Sequence, residues 1–349
     1  MSKTITDGSL PTATATSSYP TGGSERDDWI LARRAARNAV EPLRPYDFLV
    51  EEEVAETGEL LFVATIFLAN RECPWRCLMC DLWKNTLTET VPPGAIPAQI
   101  DYALKKIGTR EDGRPPSQLK LYNSGSFFDS RAIPVEDYSA IAQRVRTFER
   151  VIVECHPVLV GDSCARFRDL LKIRDHRPIA ETRLEVAMGL ETAHPQVLEK
   201  LNKRMTIEQF SRAAEWLRRN EIALRVFVLV KPPFLDEPEA LHWARRSIDL
   251  AFDCGATVVS LIPTRLGNGA LETLAERGEF SPPKLATLEA ALRYGIGLKR
   301  GRVFADLWDL QKFSDCPACF TSRAARLREI NRHQTWPQEI DCPQCGGVR

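Results

Sequence analysis

Apolar runs of strand length alternate with stretches of helical periodicity from about residue 60 onward. Continuous apolar runs are typical of parallel strands that are buried on both faces. Six runs predict strands: Leu60–Leu68, Gln118–Asn123, Val151–Cys155, Arg183–Glu191, Ala223–Val230 and Thr257–Pro263. Helical spacing predicts six helices: Ala98–Lys106, Val135–Phe148, Ser163–Ile173, Thr206–Arg219, Glu237–Cys254 and Pro283–Tyr294. Six strand-then-helix units indicate parallel strands with right-handed crossovers, in a barrel or a doubly wound sheet.

The two ends of the chain depart from this alternation. Residues 1–25 are rich in Thr, Ser, Gly and Pro and poor in large apolar side chains, which predicts a disordered tail. Residues 26–57 are interpreted as a helical extension, with a helix over Trp29–Val40 that ends at Glu41-Pro42. We assign residues 58–300 to the core and residues 301–349 to a small Cys-rich module.

Composition and charge narrow the classes of function. The chain has 349 residues, enough for one large core with appendages. Lys and Arg number 47, as do Asp and Glu, so no overall field favours nucleic acid or membrane, although a local patch can suffice. No apolar run approaches the roughly 18 residues of a membrane span, and no secretory signal is evident. We therefore expect a cytoplasmic protein without membrane association.

Cysteine is the residue type that points to chemistry. Ten cysteines without an export signal favour metal binding or catalysis over disulfides. Cys73, Cys77 and Cys80 have C-x3-C-x2-C spacing directly after the first predicted strand. Three thiolates can bind three irons of a [4Fe–4S] cluster and leave the fourth iron open to a cofactor or substrate. A structural zinc knuckle fits less well, because it needs four ligands that usually come in pairs.

The triplet resembles the signature of the radical S-adenosylmethionine (SAM) superfamily, with Met79 where an aromatic residue is more common. The resemblance covers about Leu60 to Gly295 and implies an α/β fold, a partial (β/α)6 TIM-like barrel. It also implies a [4Fe–4S] cluster that cleaves SAM to methionine and a 5′-deoxyadenosyl radical, and a one-electron donor of the flavodoxin or ferredoxin type. No residue is assigned a catalytic role beyond cofactor binding.

Two strand ends are candidates for SAM binding, since parallel barrels place their chemistry at the C-terminal ends of strands. Ser124, Gly125 and Ser126 follow the second strand and by position resemble the superfamily's Gly-Gly-Glu-type motif for the SAM amino group, without its acidic residue. An ordinary turn is the alternative. Glu154 ends the third strand and is our candidate for the ribose or the methionine ammonium.

The next two strand ends carry further candidates. Glu191 lies in Gly-Leu-Glu-Thr, followed by Leu201-Asn202-Lys203, which resembles the subgroup of the elongator catalytic subunit and the tRNA methylthiotransferases. Glu191 is thus expected to contact SAM or substrate. Lys231 follows the fifth strand and can contact a carboxylate or a phosphate, although a structural loop explains it about as well.

Three segments together resemble the radical SAM subunit that works with archaeosine synthase on tRNA. They are Asn-Ser-Gly-Ser-Phe at 123–127, Lys-Pro-Pro-Phe-Leu at 231–235 and Phe-Ser-Pro-Pro at 280–283. The resemblance implies tRNA as substrate and a partner subunit. The third strand ends in Glu-Cys-His-Pro, where that family has Glu-Ser-Arg-Pro.

A second cysteine group lies near the C-terminus. Cys316, Cys319, Cys342 and Cys345 form two C-x2-C pairs separated by 22 residues. Four thiolates in paired knuckles suit tetrahedral Zn²⁺, and the same four could saturate a second [4Fe–4S] cluster. The segment between the pairs is a phosphate-binding surface or a solvated helix face; it contains Arg323, Arg326, Arg328, Arg332, His333 and Trp336.

The sequence therefore predicts a cytoplasmic radical SAM enzyme that abstracts hydrogen from a substrate, with modified tRNA as the favoured class. One alternative is a radical SAM enzyme acting on a small molecule or peptide. The other is an inert iron–sulfur or zinc scaffold that only binds a partner.

Overall fold

The computed structural model describes residues 18–108, 113–173 and 181–345. Eight strands form one sheet whose spatial order follows the chain. They are β1 Asp47–Val54, β2 Leu60–Phe67, β3 Gln118–Tyr122, β4 Arg150–Glu154, β5 Arg183–Glu191, β6 Ala223–Val230, β7 Val258–Pro263 and β8 Arg302–Ala305. β1 pairs antiparallel with β2, and every later neighbouring pair is parallel. The first 17 residues of the expected tail lie outside the described ranges.

Helices cover the outer face of the sheet. In the described ranges they are α1 Gly23–Leu31, α2 Ala95–Lys106, α3 Tyr138–Val145, α4 Asp162–Lys172, α5 Pro195–Lys200, α6 Ile207–Arg219, α7 Glu237–Asp253, α8 Ala270–Glu276, α9 Leu285–Gly297 and α10 Pro317–His333. α2, α3, α4, α6, α7 and α9 follow β2 to β7 in turn, and their apolar faces form the main core with the strands. The six predicted strand-then-helix units and the partial (β/α)6 barrel are confirmed. None of these helices combines the length and apolar character of a membrane span.

The sheet curls into a half-barrel, and charged side chains fill its interior at the base. Glu53 on β1 pairs with Arg225 on β6, five strands away in the sheet, and Arg225 Nε donates to Glu185 on β5 at 2.7 Å. Burial alone would raise the pKa of Glu53, but Arg225 and Lys120 hold it well below its ordinary value. We call this set the basal charge network; its members are Glu53, Lys120, Arg150, Glu185, Arg225 and Arg302.

Helix α10 covers the free edge of β8. The side-chain amide of Asn331 accepts from the N–H of Ala305 at 2.9 Å and donates to its carbonyl at 2.8 Å. Gln334 bonds both backbone groups of Val303 in the same way, at 2.7 and 3.0 Å. α10 also packs against β1, where Arg332 binds Glu52 at 2.5 Å. The two amides thus take the hydrogen bonds that a ninth strand would make.

The predicted helix over Trp29–Val40 was wrong. Helix α1 begins at Gly23 and ends at Leu31. The chain beyond it leaves the helix because Arg34 and Arg37 reach Glu72 and because the N–H of Asn38 donates to the carbonyl of Lys84 at 2.8 Å. The division at residues 25, 57 and 300 stays a prediction; β1 and β8, which lie outside the 58–300 core, both belong to the sheet.

Candidate functional site

The cysteine triplet lies on the loop after β2, at the end of the barrel where the parallel strands terminate, which we call the mouth. Cys73, Cys77 and Cys80 are half-buried. Burial raises the pKa of Cys73 to about 12 and that of Cys80 to about 11, and the pKa of Cys77 is also raised. A bound metal cation would offset this effect of burial and stabilise the thiolate forms. The donor set of three thiols on one partly open loop fits three irons of a [4Fe–4S] cluster.

Side-chain amides from two other strand ends hold this loop in place. Asn268, after β7, donates to the carbonyl of Leu78 at 2.7 Å. Asn202, after β5, donates to the carbonyl of Arg76 at 2.8 Å, and the N–H of Leu78 donates to the carbonyl of Leu201 at 2.9 Å. The loop backbone is thus fixed from both sides by the protein itself.

Charge and stacking hold the start of the loop. Glu72, next to Cys73, binds Arg34 at 2.6 Å and Arg76 at 3.1 Å, and also pairs with Arg37. On the opposite side, Trp75 stacks on His156, with ring centroids 3.8 Å apart and planes within 6°. The ring nitrogens of His156 bond Lys203 O at 2.9 Å and Val158 N at 3.3 Å.

That arrangement decides the role of His156. Burial and the charge of Lys203 lower the pKa of His156 to about 3, so the imidazole is neutral. Because both ring nitrogens already have protein partners, His156 acts as a support for the loop.

The Ser124–Ser126 turn touches the triplet directly. A Cβ placed on Gly125 would lie 3.1 Å from the Cβ and 3.7 Å from the Sγ of Cys73, so a larger residue here would press on Cys73 and displace it by a few tenths of an ångström. Ser124 has a left-handed backbone with φ of 55°, and its hydroxyl lies 3.3 Å from the hydroxyl of Tyr46. The hydroxyl of Ser126 faces inward and accepts from the N–H of His156 at 3.3 Å. The turn therefore adjoins the loop that carries Cys73, Cys77 and Cys80, which we call the cluster loop. Its expected role in binding SAM requires this position.

Glu154 supports this turn from beneath. Its carboxylate accepts the N–H of Asn123 at 2.8 Å and is also bonded by the N–H groups of Ser124 and Gly125. Burial nevertheless raises the pKa of Glu154 to about 7. The carboxyl group is thus occupied by backbone donors, and its contact with SAM stays a prediction.

Glu191 forms a buried ion pair at the end of β5. Its carboxylate binds the ammonium of Lys203, and the residue has a left-handed backbone with φ of 65°. A side chain on Gly189 would collide with both groups, so this glycine makes room for the pair. Burial raises the pKa of Cys77 and the positive charge of Lys203 acts in the opposite direction, so the ammonium interacts electrostatically with this thiol.

Lys231 is engaged elsewhere. Its ammonium donates to Glu237 at 2.6 Å and to Ser281 at 2.9 Å, and it is buried. These contacts connect the loop after β6 with α7 and with the segment before α9. The predicted contact of Lys231 with SAM stays a prediction.

Sequence reasoning assigned no function to several residues at the site. Lys203 was visible in the Leu-Asn-Lys motif, but no sequence signal pairs it with Glu191, because twelve residues and helix α5 separate the two. Asn202 and Asn268 act through backbone carbonyls of a distant loop, for which the sequence carries no signal.

The C-terminal quartet has a tighter geometry than the triplet. In the described ranges it is the one group of potential metal ligands whose atoms all lie within 4.8 Å of one another. Cys316 Sγ and Cys342 Sγ are 3.9 Å apart, and Cys319 Sγ and Cys345 Sγ are 3.7 Å apart. Backbone N–H groups of Cys345 and Gln344 lower the pKa of Cys342. The site can bind a metal ion.

The basic segment between the pairs is largely neutralised within the protein. Arg323 and Arg326 are buried and both bind the fully buried Glu289 of α9, at 2.6 and 2.9 Å. Arg332 pairs with Glu52, as described above. The interpretation of these arginines as a phosphate-binding surface is wrong for the two buried ones, because their charges serve to attach α10 to the barrel.

Comparisons with known proteins identify relatives. No protein-family model matches the chain. Beta subunits of archaeosine synthase from Methanosarcina acetivorans and Thermococcus kodakarensis are 26% and 29% identical, over 80% and 67% of this chain and 81% and 72% of their own. An uncharacterised protein of Methanocaldococcus jannaschii is 26% identical over 66% of this chain; the match spans only 63% of that relative's length.

The fold has a counterpart among solved structures. Methylornithine synthase superposes with a TM-score of 0.51 at 11% identity, over 76% of this chain and 69% of that one. Likeness at this identity concerns the fold alone. The half-barrel, the cysteine loop at its mouth and the sequence relatives together confirm the resemblance to the radical SAM superfamily and, within it, to the beta subunit of archaeosine synthase.

Proposed function

We propose that the protein is a radical SAM enzyme that abstracts hydrogen from a nucleoside of tRNA. The observation that carries this proposal is the set of three half-buried thiols on the mouth loop, against which the Ser124–Ser126 turn packs with no side chain between them. When bound, a [4Fe–4S] cluster with an open iron supplies the electron that cleaves SAM to methionine and a 5′-deoxyadenosyl radical.

The residues of the chain divide the work of binding. Cys73, Cys77 and Cys80 hold three irons. The Lys203 ammonium and the Glu191 carboxylate both influence the pKa of Cys77, and together they match the two charges of an amino-acid zwitterion. In our proposal this pair opens to take the carboxylate and ammonium of SAM, which are charge-assisted partners of the same kind.

Glu154, Lys231 and the turn complete the proposed SAM site. Glu154 fixes the backbone of Ser124, Gly125 and Asn123, so that the turn presents its remaining polar groups to the methionine end. Lys231 is proposed to reach SAM only when it leaves Glu237. Burial of the site within the barrel excludes water from the radical.

The substrate class and partners rest on the relatives. The beta-subunit name of two relatives indicates a second subunit for those proteins, and we propose one here, together with tRNA as substrate. We further propose a flavodoxin- or ferredoxin-type electron donor and a cytoplasmic location, where thiol ligands stay reduced.

For the quartet we propose a single Zn²⁺ ion. Zn–S bonds of about 2.3 Å in a tetrahedron place the sulfurs about 3.8 Å apart, and the Cys319–Cys345 and Cys316–Cys342 sulfur separations of 3.7 and 3.9 Å agree with this. A second [4Fe–4S] cluster would require larger separations between the four cysteine sulfurs, because each thiolate then binds a different iron. The ion would join the start of α10 to the segment that follows it.

The test uses anaerobically reconstituted protein, with iron and zinc measured before dithionite and SAM are added. We expect about four irons and one zinc per chain, and formation of 5′-deoxyadenosine. Cys77→Ala should abolish the product, whereas Cys254→Ala, a half-buried cysteine outside both groups, should not. Product formation by Cys77→Ala at the wild-type rate would overturn the site assignment, and about eight irons without zinc would overturn the assignment of the quartet.

A further inference from the structure

One tryptophan at the mouth of the barrel is exposed to solvent. Trp308 lies three residues after the end of β8, and its exposed fraction of 60% is the largest among the exposed large apolar residues. Within the described ranges no aromatic ring or cation packs on its indole, whereas Trp29, Trp75 and Trp83 each have such a partner. A single exposed apolar side chain is ordinary on a protein surface, whereas exposed apolar side chains that lie together mark a contact site.

The exposure of Trp308 does not come from a loose loop. The backbone N–H of Trp308 donates to the Asp306 carboxylate at 3.0 Å, and the Arg265 guanidinium donates to the backbone carbonyl of Trp308 at 2.7 Å. Arg265 also pairs with Asp306 at 2.8 Å, and Asp309 has a left-handed backbone with φ of 54°. Both sides of the residue are therefore fixed, and the indole projects from a rigid support.

Two other exposed apolar side chains lie on loops that adjoin this support. Leu266, next to Arg265, is 40% exposed, and Leu82, on the cluster loop, is 41% exposed. Lys84 binds the carbonyl of Gly267, which joins these two loops. We call Leu82, Leu266 and Trp308 the rim patch. It borders the opening through which a substrate must approach the cluster loop.

The charge around the rim patch argues for stacking and against phosphate binding. Arg265 is paired with Asp306, and Lys312 with Asp309 at 2.6 Å. The arginines at 323 and 326 are used within the protein, and the whole chain has no net charge. An RNA bound at this mouth would therefore need a contact that does not depend on ion pairs, and an aromatic face for a base is such a contact.

We infer that the indole of Trp308 stacks on a nucleobase of the RNA substrate and holds it at the mouth. This inference rests on the proposed function, in that the substrate is taken to be tRNA. The stacked base is a neighbour of the nucleoside that enters the barrel, because the indole lies on the rim and not in the interior.

The test compares Trp308→Ala with Trp308→Phe in binding to a fluorescently labelled tRNA transcript. Loss of one base stack should weaken binding about 5- to 150-fold, whereas Phe keeps an aromatic face and should bind nearly as the wild type does. Ile173→Ala is the matched control: this residue is 53% exposed and follows the end of α4 that lies away from the mouth.

Salt dependence separates stacking from a phosphate contact. Between about 50 and 200 mM salt, Trp308→Ala should bind the RNA more weakly than the wild type by the same factor at every salt concentration. The reason is that a stacked base releases no counterion. Wild-type affinity in Trp308→Ala, or a loss confined to low salt with a changed slope, would overturn the inference. Quenching of tryptophan fluorescence by the RNA should also disappear in Trp308→Phe although binding persists.

The inference and the proposed function fail separately. Formation of 5′-deoxyadenosine from SAM without RNA tests the radical chemistry, and it is measured on the wild type and on the Ile173→Ala control. If the wild type makes the product but does not bind the transcript, the stacking inference is overturned and the radical chemistry stands. If RNA binding weakens as expected but no variant makes the product, stacking stands and the proposed radical chemistry is overturned.

Discussion

Loss of the proton from Glu154 should lower the stability of this protein as pH rises through neutrality. The carboxyl group is buried, and its pKa is raised from 4.5 to about 7 although three backbone N–H groups favour the charged form. In the unfolded chain the same group ionises at its ordinary value. Between the two pKa values the folded state therefore binds more protons than the unfolded state.

The sign and size of the effect follow from linkage. Because the folded pKa is the higher one, the stabilisation is fully present below the unfolded pKa and is lost as pH rises through about 7. With these two pKa values the free energy of unfolding decreases by about 2.5 kcal/mol between about pH 5 and about pH 8. A loss of this size is a large fraction of the stability of a typical domain.

The assay is urea unfolding of wild type and Glu154→Gln across that pH range. The glutamine carbonyl can still accept the N–H groups of Asn123 and Gly125, but the side chain cannot ionise. Glu154→Gln should match the wild type near pH 5 and exceed its stability near pH 8. Glu149→Gln, an exposed residue just before β4, is the control and should keep the wild-type slope. Parallel curves for wild type and Glu154→Gln would refute the reasoning.

Three further perturbations follow from the structure. Gly125→Ala should lower iron content or SAM affinity with little change in unfolding free energy, because its new methyl group presses on Cys73; Gly297→Ala, which meets open space, should change neither. Glu289→Gln leaves two buried guanidinium groups without a charged partner and should lower the unfolding free energy by about 3–5 kcal/mol, whereas exposed Glu329→Gln should change it little. Asn331→Ala should cost about 1–3 kcal/mol and promote self-association in light scattering, because it uncovers two backbone groups of the edge strand; unchanged stability and a monomeric solution would contradict this account.

The strands β2 to β7 could be predicted because their side chains are buried on both faces, so that sequence and environment agree. β5 and β6 begin and end at the predicted residues. β1 escaped prediction because it contains Glu51, Glu52 and Glu53, which resemble a solvated segment. Those charges are compatible with a strand only because Lys120, Arg225 and Arg332 meet them from distant parts of the chain.

In the candidate site, too, local sequence predicts some features, whereas others depend on distant parts of the chain. The triplet was predicted from local spacing, since ligands on one loop need no knowledge of the rest of the fold. The turn at Gly125 was predicted from its resemblance to a superfamily motif, and the binding roles of both stay predictions. Lys203 depends on the curvature of the chain after β5, which brings its ammonium back to Glu191 and Cys77. The attachment of α10 could not be predicted either, because its two amides serve the edge of a strand that the hydrophobic pattern did not reveal.

The basal charge network has a consequence for the order of events in a catalytic cycle. It occupies the end of the barrel opposite the cluster loop, and α10 covers the side between β8 and β1. The interior of the barrel is therefore open to solvent at the mouth. In the proposed function, a tRNA seated over that opening enters last and departs first, so that methionine and 5′-deoxyadenosine leave only after it has gone. Each encounter with such a substrate is then limited to the single SAM molecule bound beforehand.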